Sequence, residues 1–279
     1  MKKLSTVEDV VQRYFNEHVA YRVIDYKRPE FAWDKLRAHF RHIPISELNG
    51  SHVNAYTMKR KVSAGTINRE LGVLSAALRW AYKQGYIDRL ILIPRLPSPQ
   101  PRQNWLTRKD CLRLLEAAKK YRHIFAFVGI AILTGQRKEA ILGLTKDRVC
   151  WKDGFIDFNE AGPMSERRKG RAVVPISKDM KLLLEDIKSD SLFVVNNNGR
   201  RVRDMRTAWK KVLEDAGLKG VTPHTLRHSV ATQLVRDKVP LIEVSKLLGH
   251  RDSRTTEKVY AKFDPDFLRD ATSRLSISV

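Results

Sequence analysis

Two basic side chains stand at the start of an amphipathic pattern in VTPHTLRHSVATQLV, residues 221–235. Thr222 is suited to cap a helix and Pro223 to occupy its first position, so His224 and Arg227 fall in the first turn. Their spacing of three residues places them on one face of that turn. The N-terminus of a helix adds a positive dipole and backbone N–H groups without helical partners. Together these features predict a site for an anion.

An apolar stripe occupies a different side of the same predicted helix. Leu226, Val230 and Leu234 recur at intervals of four residues, which is typical of a face that packs on a core. We therefore expect the face that carries His224 and Arg227 to be open to a ligand. A capping histidine beside a solvated arginine is the structural alternative for these two residues.

Three further residues have suitable chemistry and stand next to helix ends. Arg137 follows a break at Gly135 in LTGQRKEAILGL, near the start of another predicted helix. His250 follows Gly249, which can end the helix predicted in LIEVSKLLGH, and Tyr260 lies ten residues later. Taken singly, each has a structural explanation: a solvated arginine, a histidine that complements a helix dipole, and a packed tyrosine. The ordered set is far more specific.

In chain order, TGxR, HxxR, LGH and a tyrosine ten residues further on resemble the tyrosine recombinases, specifically the phage-type integrases. The resemblance covers the whole chain, because TINRELGVLSAALRWA in the first half is similar to the helical core-binding domain of that family. It implies a site-specific DNA recombinase that cleaves and rejoins strands through a 3′-phosphotyrosine intermediate, with no metal, ATP or other cofactor. It also implies a tetramer on specific sites in double-stranded DNA, and a bacterial or phage-encoded cytoplasmic protein.

The resemblance gives each catalytic candidate a role. Tyr260 is the nucleophile, and because a free tyrosine has a pKa of about 10, it needs a cationic environment and a proton acceptor. Arg137 and Arg227 clamp the nonbridging oxygens of the scissile phosphate, since guanidinium groups bind them bidentately and do not deprotonate. We assign His224 as the proton acceptor and His250 as a hydrogen-bond donor to the phosphate.

The general acid for the leaving 5′-oxygen is a lysine on a β-hairpin in the family, and here the pattern departs from it. In MSERRKGRAVVPI the position eight residues before the proline holds Arg167, which is too basic to donate a proton readily. Lys169 is the lysine of this loop and we assign it the role, with a contact to the DNA backbone as the alternative. In a second departure, Glu139 lies two residues after Arg137, where an acidic residue three after is usual.

Helices are predicted over most of the chain. TVEDVVQRYFNEHV predicts a first helix capped by Thr6, and LTRKDCLRLLEAAKK predicts another capped by Thr107. GFIDFN and RAVVPIS are short β-rich runs on either side of a basic loop, so they predict a small sheet or hairpin. A long helix that Gly85 closes has an apolar stripe of Ile67, Leu71, Leu74, Leu78 and Tyr82.

These elements predict a mainly α protein of two domains. Residues 1–97 form a helical core-binding, DNA-binding domain, and the Pro-rich residues 98–103 form a linker. Residues 104–279 form a mixed, mostly α catalytic domain with a small antiparallel β-sheet. The resemblance to the family implies that its last segment, residues 261–279, docks into a neighbouring protomer, while packing on its own domain is the alternative.

The charge of the chain predicts a polyanionic partner. Lys and Arg number 53 against 31 Asp and Glu, a formal net charge of +22 with a pI near 10.1. Residues up to 97 contain 17 basic and 9 acidic side chains, and the remainder contains 36 and 22. We expect both domains to close on a duplex with strongly salt-dependent affinity. The candidate DNA-binding residues are Arg69, Arg79, Lys83, Arg167 and Arg168.

Several classes of protein are excluded by simple features. Cys111 and Cys150 lie in no metal-ligand spacing, which argues against a zinc ribbon or a disulfide scaffold. The first ten residues lack the apolar stretch of a secretory signal. The longest apolar run, residues 124–133, covers half of a bilayer crossing and predicts a buried helix.

Two other functions remain open at this point. The stretch LIEVSKLLGHRDSRTTEKVY also fits a helix-turn-helix regulator, which explains the charge but gives Tyr260, Arg137 and His224 no joint role. A type IB topoisomerase uses similar residues but requires no paired sites. A covalent phosphotyrosyl adduct excludes the regulator, and synapsis of two DNA sites separates recombinase from topoisomerase.

Overall fold

The computed structural model describes residues 3–23, 25–97, 104–159 and 171–250. Contacts divide the chain into two units, Met1–Arg102 and Gln103–Val279. Each unit has its own apolar core and is described by itself. The fold class predicted from the sequence, mainly α with a small antiparallel sheet, is confirmed.

The regular secondary structure of the first unit consists of helices in its described residues, with one isolated β-bridge between Thr6 and Pro44. Thr6 is confirmed as the cap of the first helix, because its hydroxyl accepts a hydrogen bond from the Asp9 N–H. The Asp9 carboxylate in turn accepts from the Thr6 N–H. A π-helical turn, Phe15–Val19, follows directly and was not predicted. The helices are α1 (Val7–Tyr14), α2 (Ala20–Arg22), α3 (Lys27–Phe40), α4 (Gly50–Lys59) and α5 (Ala64–Lys83).

Helix α5 is the central element of this unit, and α1 and α3 pack against it. Its predicted apolar stripe is buried from Ile67 to Leu78, but Tyr82 is 44% exposed, so its place in that stripe was wrong. Ala81 takes the buried position instead, because Glu70 and Ala77 are buried as well and centre the buried face of α5 on the side that carries Ala81 rather than Tyr82.

A buried carboxylate joins α4 to α5. Glu70 on α5 is 6% exposed and accepts hydrogen bonds from the Tyr56 hydroxyl at 2.7 Å and from Arg60 Nη2 at 2.7 Å. Burial alone would raise the pKa of Glu70, but the bonds from Arg60 and Tyr56 outweigh it and hold the pKa below its usual range. The pair therefore fixes the end of α4 electrostatically.

The second unit packs its helices around a nearly all-apolar one. The run 124–133 lies in α7, whose neighbours are α6, α9 and α11, so it is buried on most sides and needs no polar face. Among the described residues, no helix combines the length and apolar character needed to cross a bilayer. The helices are α6 (Arg108–Ala118), α7 (Arg122–Thr134), α8 (Lys138–Leu142), α9 (Lys178–Asp186), α10 (Arg206–Asp215), α11 (Pro223–Arg236) and α12 (Leu241–Leu247).

The predicted small sheet is present between α8 and α9. It is antiparallel, Ile156 on the central strand pairs with both Val149 and Val174, and all three side chains are buried. A second, two-stranded sheet was not predicted, although Asn198 and Gly199 at its turn adopt the left-handed conformation that a tight hairpin requires. The strands are β1 (Val149–Cys150), β2 (Phe155–Asp157), β3 (Val173–Pro175), β4 (Asn196–Asn197) and β5 (Arg200–Arg201).

Candidate active site

The start of α11 is built as the sequence indicates. Thr222 is the cap: its hydroxyl accepts from the Thr225 N–H at 3.2 Å, and the Thr225 hydroxyl accepts from the Thr222 N–H at 3.0 Å. Pro223 occupies the first helical position. His224 therefore lies in the first turn, where the helix dipole favours an anion, whereas Arg227 is the fifth helical residue and begins the second turn rather than the first.

Arg227 is not on an open face, contrary to the expectation for this helix. Its side chain is 4% exposed because α11 is buried on nearly all sides. Its Nη1 donates to the carbonyl of Gly135 at 3.1 Å, and its Nη2 donates to the carbonyl of Leu248 at 2.7 Å. Arg227 thus connects the turn before α8 to the end of α12 while keeping a charged group beside the helix N-terminus.

Arg137 enters the same region from the N-cap position of α8. Gly135, which ends α7 in the left-handed conformation, turns the chain toward it, and a Cβ at Gly135 would lie 2.8 Å from Leu248 Cδ2. Arg137 Nη1 donates to the carbonyl of Gly249 at 3.3 Å. Burial lowers the pKa of Arg137, and the positive charge of Arg171 lowers it further.

His250 follows the end of α12, where Gly249 has a φ of +63° and its N–H bonds to the Lys246 carbonyl at 2.9 Å. This confirms Gly249 as the residue that closes the helix. Burial, together with the charges of Arg227 and Arg137, lowers the pKa of His250 to about 4. At neutral pH the ring is therefore uncharged and carries one N–H that can be donated.

Gln136, between Gly135 and Arg137, is a site residue that the sequence analysis missed. It is 2% exposed, and its Nε2 donates to the Leu247 carbonyl at 2.6 Å. Within the described part of the chain its Oε1 has no hydrogen-bond partner. The Gln136 amide therefore joins the turn before α8 to α12, and the bond from Arg227 to Leu248 is a second connection to the end of α12. The acceptors are backbone carbonyls, which no side-chain pattern reveals.

One cavity brings these segments together. It has a volume of about 320 Å³, and Arg137, His224 and Arg227 line it with Gln136 and Arg171. The ring of His224 meets that of His228 edge to face, with centroids 4.5 Å apart. A cavity of about 390 Å³ near Trp151 is larger, but none of the predicted site residues lines it.

Other candidates differ in what the structure says of them. Lys169, Tyr260, Arg167 and Arg168 lie outside the described residues, as does the tail at 261–279. Arg69, Arg79 and Lys83 are all exposed on α5. The side chain of Glu139 is 70% exposed and pairs with Lys138 at 3.7 Å.

The chain belongs to the phage integrase family, whose model matches residues 104–266, more than half of its length. A tyrosine recombinase, XerA of Thermococcus kodakarensis, is 29% identical over 82% of this chain and 84% of that protein. The integrase of Escherichia phage 186 is 27% identical over 95% of this chain and 75% of that one. The resemblance to tyrosine recombinases is thus confirmed, and with it the enzyme class.

Solved structures share the fold. The integrase of transposon Tn1549, in complex with transposon right end DNA, has a TM-score of 0.79 at 16% identity and covers 98% of this chain and 100% of that one. A lambda integrase dimer bound to a COC′ core site has a TM-score of 0.71 at 17% identity, over 100% and 81%. A lambda integrase tetramer bound to a Holliday junction has a TM-score of 0.73 at 18% identity, over 92% and 78%.

Proposed function

We propose that this protein is a site-specific DNA recombinase that cleaves and rejoins strands through a covalent phosphotyrosine, without metal or ATP. One observation carries the proposal. Arg137, His224 and Arg227 line a single cavity, and the His250 segment is bound to both arginines. These residues come from three segments far apart in the sequence, and such convergence of cationic groups on one cavity is what a phosphodiester substrate requires.

The reaction follows from these groups. The Tyr260 oxygen attacks the phosphorus in line, the new bond joins tyrosine to the 3′-phosphate, and the bond to the 5′-oxygen breaks. His224 takes the phenolic proton, and Lys169 supplies the proton that the leaving oxygen needs. Arg137 and Arg227 stabilise the charge that develops on the nonbridging oxygens. His250 adds one neutral N–H donor.

Rejoining is the same reaction in reverse. The 5′-hydroxyl of a strand attacks the phosphotyrosine and gives its proton back to Lys169, and Tyr260 leaves with a proton returned from His224. The phosphodiester bond energy is kept in the covalent link, so neither ATP nor a metal ion enters the balance. The arginines supply the positive charge that a metal would otherwise provide.

The proposed partner is double-stranded DNA. The formal net charge of +22 favours a polyanion, and Arg69, Arg79 and Lys83 on α5 are exposed as contacts to the phosphate backbone would require. The lambda integrase tetramer on a Holliday junction supports four protomers acting on two duplexes. From the resemblance to the family we propose a cytoplasmic protein, encoded by a bacterium or by a phage.

The nucleophile is tested by covalent trapping. Binding sites are first selected from a randomised duplex pool, and the selected duplex is then nicked beside the cleavage position so that the released strand diffuses away. Wild-type protein is expected to give an adduct on a denaturing gel, and Tyr260→Phe is expected to bind the same duplex without forming one. Tyr82→Phe, at an exposed tyrosine of the first unit, is the matched control. An adduct of undiminished yield in Tyr260→Phe would remove that residue from its role.

A second experiment separates recombinase from topoisomerase. Two selected duplexes of different length are incubated with the protein, and products that join one to the other are measured. Exchange between duplexes supports recombination. Relaxation of a supercoiled plasmid with no exchange would instead support a topoisomerase.

A further inference from the structure

We propose that Arg171 is a third arginine that binds the scissile phosphate, placed in the active-site cavity by the hairpin of β2 and β3. The inference rests on the proposed DNA cleavage and adds a residue to it. Arg171 lines the same cavity as Arg137, His224 and Arg227. The phosphate would then be contacted from the hairpin side as well as from the two helix N-termini.

The hairpin holds this side chain in place. Arg171 lies two residues before β3, and its Nη1 donates to the carbonyl of Phe158, which directly follows β2. The Phe158 N–H in turn bonds to the carbonyl of Ala172 at 3.1 Å. The guanidinium group is therefore oriented by a bond across the hairpin at 3.2 Å, while each of its other nitrogens also carries N–H donors.

The backbone of Arg171 packs directly on the turn that carries His250. A Cβ at Gly249 would lie 2.6 Å from the Arg171 carbonyl carbon and 2.8 Å from its Cα, closer than any side chain permits. Because the carbonyl of Gly249 also accepts the bond from Arg137, the turn links Arg171 to Arg137 through one residue. The hairpin side and the helix side of the cavity are thus held in a fixed relation.

The charges around the cavity favour an anion between them. Arg171 is close enough to Arg137 for its charge to add to burial in lowering the pKa of Arg137. Two like charges in a partly buried cavity repel each other, and a bound phosphodiester offsets that repulsion. The fork of a guanidinium also suits two phosphate oxygens better than an ammonium does.

A bracing role in the hairpin is the competing explanation, and the chain offers a matched control for it. Arg148 is another arginine of this unit that bonds to backbone carbonyls, those of Gly143 and Asn159, and it also donates to the Thr145 hydroxyl at 3.0 Å. Arg148 is not among the described residues that line the cavity. Loss of Arg148 therefore reports bracing without phosphate contact.

The test compares cleavage of a charged and a neutral phosphate. Wild type, Arg171→Ala, Arg171→Lys and Arg148→Ala are assayed in single turnover on the nicked duplex. One substrate carries the natural phosphodiester, and others carry a methylphosphonate, which lacks the negative charge, at the scissile position or at either neighbouring position. Thermal unfolding and duplex affinity of each variant are measured alongside.

Arg171→Ala is expected to slow cleavage of the natural duplex by on the order of a hundredfold, the effect of losing one donor to a developing anion. Arg171→Lys should recover part of that rate. On the duplex with a neutral scissile phosphate, wild type and Arg171→Ala should differ by less than about threefold, which is under 1 kcal/mol. Any defect of Arg148→Ala should be the same on all substrates.

Three results would overturn the inference. Cleavage by Arg171→Ala within threefold of wild type on the natural duplex would show that Arg171 makes no catalytic contact. A defect of equal size on charged and neutral scissile phosphates would assign it a bracing role. If Arg171→Ala cleaves at the wild-type rate only when the methylphosphonate is at a neighbouring position, Arg171 contacts that phosphate and not the scissile one. If wild type forms no adduct at all, the proposed function fails and the inference falls with it, an outcome distinct from a defect in Arg171→Ala alone.

Discussion

Gly249 is the point where the structure gives the sharpest prediction, because an added methyl group there meets backbone rather than side chain. In Gly249→Ala the Cβ would stand 2.6 Å from the carbonyl carbon of Arg171 and 2.9 Å from the nitrogen of Ala172. Ordinary contact begins at 3.4 Å, so a separation of 0.8 Å must be gained by moving the hairpin or the turn. Either motion displaces His250 relative to Arg171.

The stability change has two parts. Alanine at a φ of +63° costs about 1–2 kcal/mol because of its Cβ. Forcing packed backbone apart adds about 1–3 kcal/mol. We therefore expect Gly249→Ala to lose about 2–5 kcal/mol of unfolding free energy. A misplacement approaching 1 Å in an active site slows the chemistry by on the order of a hundredfold, so cleavage should fall by that factor in the protein that remains folded.

Gly217 provides the control for the first part. It has the same φ of +63°, but no heavy atom lies within 4 Å of the position that its Cβ would take. Gly217→Ala should thus lose only about 1–2 kcal/mol and cleave normally. Urea unfolding followed by circular dichroism, with single-turnover cleavage of the nicked duplex, measures both quantities. Equal losses of stability in the two variants, or wild-type cleavage by Gly249→Ala, would refute the reasoning.

Three further predictions concern charged groups. Arg137→Lys or Arg227→Lys keeps the charge but loses the two-pronged geometry, so single-turnover cleavage should fall on the order of a hundredfold; near-wild-type rates in both would show that charge alone suffices. Glu70→Ala leaves the Arg60 guanidinium without its carboxylate and should lower the unfolding free energy by about 2 kcal/mol at pH 7, less than for a fully buried pair because Arg60 is partly exposed. Because the pKa of Glu70 is depressed in the folded state, the stability difference between wild type and Glu70→Ala should shrink as pH falls through that pKa. Urea titrations at pH 7 and pH 3 measure this difference, and an equal value at both would contradict the reasoning. His250 should titrate at about pH 4 in the free protein, so the stability gained by keeping it neutral is present above its unfolded pKa of about 6.5 and is lost as pH falls toward 4. Bound DNA should raise this pKa by offsetting the arginine charges, and an NMR titration that shows no shift on binding would contradict the site.

The parts of the fold that local chemistry decides could be predicted. The residue type and the apolar pattern that follows predict Thr6, Thr107 and Thr222 as caps, and all three accept the expected backbone hydrogen bond. Gly135 and Gly249 were recognised as helix ends, and both adopt the left-handed conformation there. These signals act within one turn of a helix, so the sequence alone expresses them.

The burial of Arg227 could not be predicted from its own helix. The pattern of Leu226 and Val230 describes the face that α11 presents to one neighbour, whereas the acceptors of Arg227 are carbonyls of residues 135 and 248, remote in the sequence. Gln136 was missed for the same reason, because its acceptor at Leu247 is also backbone. Every residue has a backbone carbonyl, so no sequence motif indicates which carbonyl will accept the bond.

Arg171 lies in a segment rich in basic side chains, and the sequence does not single it out. Arg167, Arg168 and Lys169 precede it, and residue type alone does not separate one such charge from the next. What distinguishes Arg171 is the approach of its backbone to Gly249 and its place in the cavity. Both features depend on tertiary contacts between the hairpin and the turn after α12, which are remote from each other in the sequence.

Arg227 has a consequence for directed evolution of this enzyme. Its guanidinium donates to the buried carbonyls of Gly135 and Leu248. Most substitutions at this position leave those carbonyls without a donor, so few members of a library randomised there should fold. Arg171 is less buried than Arg227 and lies at the end of a hairpin, where it bonds to the carbonyl of Phe158, so a library there retains more folded members. Adaptation to altered nucleic-acid backbones should therefore succeed by changing residue 171 before residue 227.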